Sequence, residues 1–158
     1  NMDNYYIVFE RPNVQQFLDF AFKNFNISIW TAASKNYAIY VIKNIILKNH
    51  PERQDKIKYI FYCYHCDISE NINKCSKKID MLWDTYKIPE FDKKNTFIMD
   101  DYYEVTDTNP ENCIEVEPFN YYDENSEKDT FLKDVIPSLE ALSKSVDVTD
   151  LLRDMNIH

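Results

Sequence analysis

Asn95-Thr96-Phe97-Ile98-Met99-Asp100-Asp101 is a short apolar run that stops abruptly at two adjacent carboxylates. Bounded by polar residues, it predicts a strand over 96–99 buried in a parallel sheet, where both faces are covered and alternation is lost. In an open α/β sheet, ligands bind outside the carboxyl ends of the strands, which is where Asp100 and Asp101 would then stand. Two carboxylates there suit a hard cation such as Mg2+, which takes one or two of them and fills its other positions with water or phosphate oxygens. The same residues also fit a strand running into a solvated acidic turn, so the rest of the chain has to separate the two readings.

Outward from this run, strands are expected at 5–9, 27–30, 57–62 and 113–116, all aromatic or β-branched. Helical spacing links Val14, Phe17, Leu18, Ala21, Phe22 and Phe25 after Pro12, a residue suited to a first helical turn. A second apolar stripe joins Tyr37, Ala38, Val41, Ile42 and Ile45 and is closed by His50-Pro51. Ile79, Leu82, Trp83 and Tyr86 outline a short helix, and 147–155 another. A long helix runs from Phe131 to Leu142, kinked or divided at Pro137 because proline removes a backbone donor. The stretches 51–56, 67–76 and 102–112 are polar and read as loops, the middle one as an exposed excursion. Strand, helix, strand, helix implies right-handed crossovers, hence one α/β domain with a parallel sheet flanked by helices.

The 158 residues fit one domain, and with 44% hydrophobic and 15% aromatic residues the chain is too apolar to be disordered. The longest apolar runs are too short to span a bilayer and no signal-peptide pattern opens the sequence, so an intracellular protein of cytoplasm or nucleus is expected, without membrane contact. A net charge of -9 repels nucleic acid backbones, and direct nucleic acid binding is not expected. A phosphorylated partner therefore has to be recognised locally, against the overall field.

Four cysteines are too few for a disulfide scaffold. Cys63-x-x-Cys66 with His65 and Cys75 has only half of a zinc spacing, so reduced core thiols are expected there. No glycine occurs at all, although tight phosphate loops and left-handed turns commonly use it. Asn1 precedes Met2, so a further segment is expected upstream of this start. Abundant Ile, Asn, Lys and Tyr point to an AT-rich genome, such as that of a large DNA virus or a protist.

Three candidate sites follow in order: Thr31 after one strand, Lys77, and Asp100-Asp101 after another. With the words around them, they resemble the haloacid dehalogenase superfamily and, within it, the RNA polymerase II C-terminal-domain phosphatases, the NLI-interacting-factor-like family. Arg11-Pro12-Asn13-Val14 with Phe17-Leu18 resembles that family's Arg-Pro-Gly-Val-x-x-Phe-Leu. Ile29-Trp30-Thr31-Ala32-Ala33 with Tyr37-Ala38 resembles its threonine motif, and His65-Cys66 its His-Cys pair. Lys77-Lys78-Ile79 through Leu82 looks like Lys-Asp-Leu, and Phe97 to Asp101 like Ile-Ile-Asp-Asp. Asn112 to Val116, Asp123, the pattern from Leu132 to Leu142, and Asp147-Val148 with Leu151-Leu152 resemble the closing words. The resemblance covers nearly the whole chain from Phe9 onward, and its ordered set of motifs is what makes it specific.

The departures are Cys63 where the family has arginine, Lys78 for the aspartate after the lysine, and Tyr102-Tyr103 for its Ser-Pro. Lys77 and Lys78 compete for the catalytic lysine, and the spacing to Leu82 selects Lys77. The family's first motif, Asp-x-Asp-x-Thr, carries the nucleophile and the general acid. No Asp-x-Asp occurs in the 158 residues, so the nucleophile is expected upstream of Asn1. The resemblance places the strand bearing that motif in the middle of the sheet, between the strand ending at Thr31 and the strand ending at Asp100.

The resemblance implies a haloacid-dehalogenase-like, Rossmann-like fold and an Mg2+-dependent phosphoserine/phosphothreonine protein phosphatase acting through an aspartyl-phosphate. Its partner would be a phosphorylated protein or peptide, with sequences like the RNA polymerase II C-terminal domain as candidates. Thr31 would donate its hydroxyl to a phosphoryl oxygen, assisted by the Ala32 amide at a helix N-terminus, or serve as N-cap, and both roles are compatible. Lys77 would neutralise phosphoryl charge, Asp100 would hold Mg2+ directly, and Asp101 would bind it through water or orient its ligands. The alternative is a catalytically silent protein-binding module of the same fold.

Overall fold

The structure, a computed structural model, describes residues 7–155. The chain forms two compact units: the stretch ending at Tyr64 together with Phe119–Glu140, and His65–Pro118 together with the stretch from Ala141.

In the first unit, α1 (Val14–Asn24) buries Leu18, Ala21 and Phe22, the stripe its apolar spacing foretells. It packs on α6 (Phe131–Asp134), whose Leu132 is buried as well. β1 (Ile27–Trp30) and β2 (Ile57–Phe61) pair in parallel, with Trp30 opposite Phe61. Between them, α2 (Lys35–Val41) continues into a π-helical turn at Ile42–Ile46, and 51–56, expected as loop, is a short 3-10 helix. Arg53 on that turn is buried, an expensive placement that its partners offset. Its guanidinium donates to Asp19 Oδ1 at 2.6 Å, Gln15 Oε1 at 3.0 Å and the Ile46 carbonyl at 2.8 Å, and it stands over the Phe22 ring.

The expected strand at 5–9 fares differently. Tyr5 and Tyr6 lie outside the described residues, and Ile7 to Phe9 take no regular structure. Instead of pairing in a sheet, the Phe9 ring stacks on Tyr121, with centroids 3.5 Å apart.

In the second unit, β3 (Ile98–Asp100) and β4 (Cys113–Glu115) pair in parallel, with Asp100 opposite Glu115. Two stretches read as loops are helices: α3 (Cys63–Asn73) and α5 (Tyr103–Thr108). In α3 the polar Ser69 is fully buried rather than solvated, donating to the Cys75 carbonyl at 2.7 Å, which is why composition alone misplaces 67–76. α4 (Met81–Asp84) is the expected short helix. The core gathers Cys75, Met81, Val105, Cys113, Ile114 and Leu152. Past residue 130, helix breaks at Val135, and α7 (Ile136–Ser143) begins with Pro137 in its first turn, where a missing N–H costs nothing. α8 (Val148–Met155) follows Asp147, whose Oδ1 accepts the Thr149 amide at 3.0 Å. No helix among the described residues is long and apolar enough to cross a membrane.

Candidate active site

Asp100 is the last residue of β3, and the Val116 amide donates to its carbonyl at 2.8 Å, so the ladder itself fixes where the carboxylate emerges. Lys77 meets it from the irregular stretch between α3 and α4: Nζ donates to Asp100 Oδ2 at 2.5 Å. These side chains are only 10% and 7% exposed, so each charge would be strongly disfavoured without the other. Asp100 Oδ1 accepts the Tyr102 amide at 2.9 Å. Asp101, the next residue, is exposed and makes no ion pair among the described residues.

The segment 75–79 is held almost residue by residue. Ser69 Oγ accepts the Lys78 amide at 3.0 Å while donating to the Cys75 carbonyl. Glu104 accepts both the amide and the hydroxyl of Ser76, at 3.0 and 2.7 Å. Asn109 donates to the Lys77 carbonyl at 2.8 Å and accepts the Ile79 amide at 2.9 Å. The two lysines that compete in the sequence are thereby separated. Lys78 donates to the Thr108 carbonyl and lies 3.9 Å from Asp80, whereas Lys77 alone meets Asp100. Sequence reasoning missed Ser69, Glu104 and Asn109; they sit in polar stretches, and only the Asn109-Pro110 turn pair gave any local signal.

Thr31 belongs to the first unit and Lys77, Asp100 and Asp101 to the second. Its amide extends the β1–β2 ladder by donating to the Phe61 carbonyl at 3.0 Å, and its Oγ1 accepts the Ala33 amide at 3.1 Å. The N-cap reading of Thr31 is corrected here: Ser34 caps α2, its Oγ accepting the Tyr37 amide at 3.3 Å. With the helix starting at Lys35, the Ala32 amide is also not in its first turn.

Burial pushes the Cys113 thiol up to about 11, so at neutral pH it stays protonated beside the site and is no nucleophile. All four cysteines are free thiols. A cleft of about 220 Å³ in the second unit, lined by Lys78, Trp83, Asp84, Lys93 and Glu111 among others, includes none of the four predicted site residues.

Residues 1–149 match the family of NLI interacting factor-like phosphatases. The chain belongs to that family. A CTD phosphatase-like protein of Invertebrate iridescent virus 6 is 47% identical over 142 residues, spanning 86% of this chain and 77% of the relative. Its counterpart in Invertebrate iridescent virus 3 is 42% identical over 142 residues, spanning 88% and 75%. A ubiquitin-like domain-containing CTD phosphatase of Danio rerio is 26% identical over 149 residues, spanning 89% of this chain and 44% of the relative. Membership in the NLI interacting factor-like phosphatases agrees with the resemblance carried by the words around Thr31, Lys77 and Asp100, and two of these relatives are viral, as the composition anticipates.

Proposed function

We propose that this chain handles the phosphoryl group in an Mg2+-dependent phosphoserine/phosphothreonine protein phosphatase with a haloacid-dehalogenase-like fold, working in cytoplasm or nucleus. The observation that carries this reading is the buried Lys77–Asp100 pair at the carboxyl end of β3 with Asp101 exposed beside it. A buried ion pair stabilises little by itself, so its retention at a strand end is better explained by chemistry than by folding.

The residues fit the metal. Among the described residues no three His, Cys, Asp or Glu side chains gather into a metal cage, but Mg2+ asks for only one or two carboxylates. Each carboxylate oxygen has two lone pairs, so Asp100 keeps acceptor capacity after binding Lys77 and the Tyr102 amide. Asp100 and Asp101 would hold the ion, which when bound supplies charge neutralisation to the phosphoryl oxygens. Lys77 has three N–H donors and gives one to Asp100, leaving the others for a phosphoryl oxygen. The nucleophile that forms the aspartyl-phosphate would come from an aspartate upstream of Asn1, and peptides like the RNA polymerase II C-terminal domain are candidate substrates.

The absence of any Asp-x-Asp in the 158 residues favours a second reading, a silent module that binds phosphoproteins without hydrolysing them. The test compares the 158-residue chain with a chain extended upstream, assaying p-nitrophenyl phosphate hydrolysis and Mg2+ binding, each with Asp100→Asn alongside. Hydrolysis by the extended chain alone, with metal binding lost in Asp100→Asn, is expected. Mg2+ binding equal in Asp100→Asn removes that residue from the site; no hydrolysis by either chain leaves the silent module, and hydrolysis by the shorter chain refutes an upstream nucleophile.

A further inference from the structure

Immediately after the acidic pair come two large aromatic side chains that stand mostly in solvent. Tyr102 and Tyr103 are 59% and 67% exposed, and neither ring has a stacking or hydrogen-bonding partner among the described residues. Exposed tyrosine of this extent is unremarkable singly, but two in succession beside a site argue for a surface kept open for a ligand. The Tyr102 backbone amide is committed to Asp100 Oδ1, so the loop that carries the rings is tied to the site. Tyr103 opens α5, which places Asp107 four residues on, on the same helical face. Asp101 and Asp107 are both exposed and pair with no cation among the described residues, whereas Glu104 between them is committed to Ser76.

The chemistry of this rim is one-sided: with Asp101 given to the metal, it offers two aromatic faces and one uncompensated carboxylate, Asp107, on a chain of net charge -9. A phosphorylated side chain brings about -1.5 to -2 of charge and is repelled by such a field. A cation carried on the same substrate offsets that repulsion and can be met by an exposed ring face and the Asp107 carboxylate one helical turn from Tyr103. Resting on the phosphoryl-site reading above, we propose that Tyr102, Tyr103 and Asp107 form a subsite for a lysine or arginine flanking the phosphorylated residue, so that the preferred substrates are basic phosphopeptides. The subsite selects the substrate, and the bond broken remains the phosphate ester.

The experiment uses matched phosphoserine peptides that carry two arginines, two alanines or two glutamates beside the phosphoserine. Binding is read by calorimetry and hydrolysis as kcat/KM, at low and at high salt. The expected result is a preference of about tenfold for the arginine peptide over the alanine peptide, shrinking in high salt. In Tyr102→Ala/Tyr103→Ala, and separately in Asp107→Asn, the arginine-to-alanine ratio should fall toward one, a ratio that is independent of any change in overall rate. Equal treatment of the three peptides by a chain that hydrolyses p-nitrophenyl phosphate overturns the subsite and leaves the phosphatase reading standing. Preferential binding of the arginine peptide without hydrolysis upholds the subsite and sinks the phosphatase. A ratio unchanged in both variants removes the tyrosines and Asp107 from the subsite.

Discussion

The Asn109 side chain bridges the peptide groups on either side of Lys78, donating to the Lys77 carbonyl and accepting the Ile79 amide. Asn109 is 4% exposed, so neither backbone group would find water if the amide were removed. Asn109→Ala should cost about 1–3 kcal/mol for each group left without a partner. Urea denaturation reads the loss directly, and a midpoint matching the parent chain would show that both groups re-pair.

Lys77→Met leaves the Asp100 carboxylate buried without its cation and should destabilise by about 3–5 kcal/mol, the size seen when one partner of a buried pair is removed. Lys77→Met/Asp100→Leu should recover most of that loss, because the uncompensated charge leaves with its partner. Additive single effects in this cycle would mean that the two side chains do not depend on each other.

Arg11 forks onto both oxygens of Asp129 at 2.8 Å and holds that carboxyl below its ordinary value of 3.8. A lowered value in the folded state means that the interaction stabilises fully above 3.8 and is lost as pH falls from there through the folded value. The stability gap between the parent and Asp129→Asn should therefore be widest near neutrality and close below about pH 3.8. Thermal unfolding at a series of pH values tests it, and a gap that stays constant into acid contradicts the pairing.

Cys66, Cys75 and Cys113 are buried, whereas Cys63 is half-exposed. A thiol reagent at mildly alkaline pH should modify Cys63 quickly and the other three only after denaturation, since burial shields them in the folded chain. Rapid modification of all four in the folded chain would contradict this burial.

The apolar helices and strands were legible because their periodicity is strong: the α1 stripe, the Ile27–Trp30 and Ile57–Phe61 strands and the break near Pro137 stand where the pattern puts them. What the pattern hid were helices built from polar residues. In α3 a hydroxyl, not a hydrocarbon, faces the core, and Ser69 carries the same letter whether solvated or buried. In α5, Glu104 and Thr108 are spent on the Lys77 and Lys78 segment rather than on solvent. Spacing prefers Lys77 to Lys78, and the structure gives the two different partners: anchors at Cys75, Ser76 and Ile79 leave one ammonium aimed at Asp100 and the other at Thr108. Thr31 stands directly after its strand, but the cap of α2 is Ser34, three residues later, because the Thr31 hydroxyl accepts the Ala33 amide before the helix begins.

Asn13, Asn49, Lys74, Lys87 and Asn125 all take positive φ between 54° and 65°, turns that most chains give to glycine. For a side chain bearing a Cβ each such turn costs about 1–2 kcal/mol, less for asparagine. In the genetic code, asparagine and lysine are written with adenine-rich triplets and glycine with guanine-rich ones. A gene under pressure toward A and T can therefore shed glycine codons and keep its left-handed corners, with the steric cost borne by the fold. Under such a pressure each of the five positions would be a place where nucleotide bias and backbone geometry pull in opposite directions, and where a single glycine codon would relax the protein.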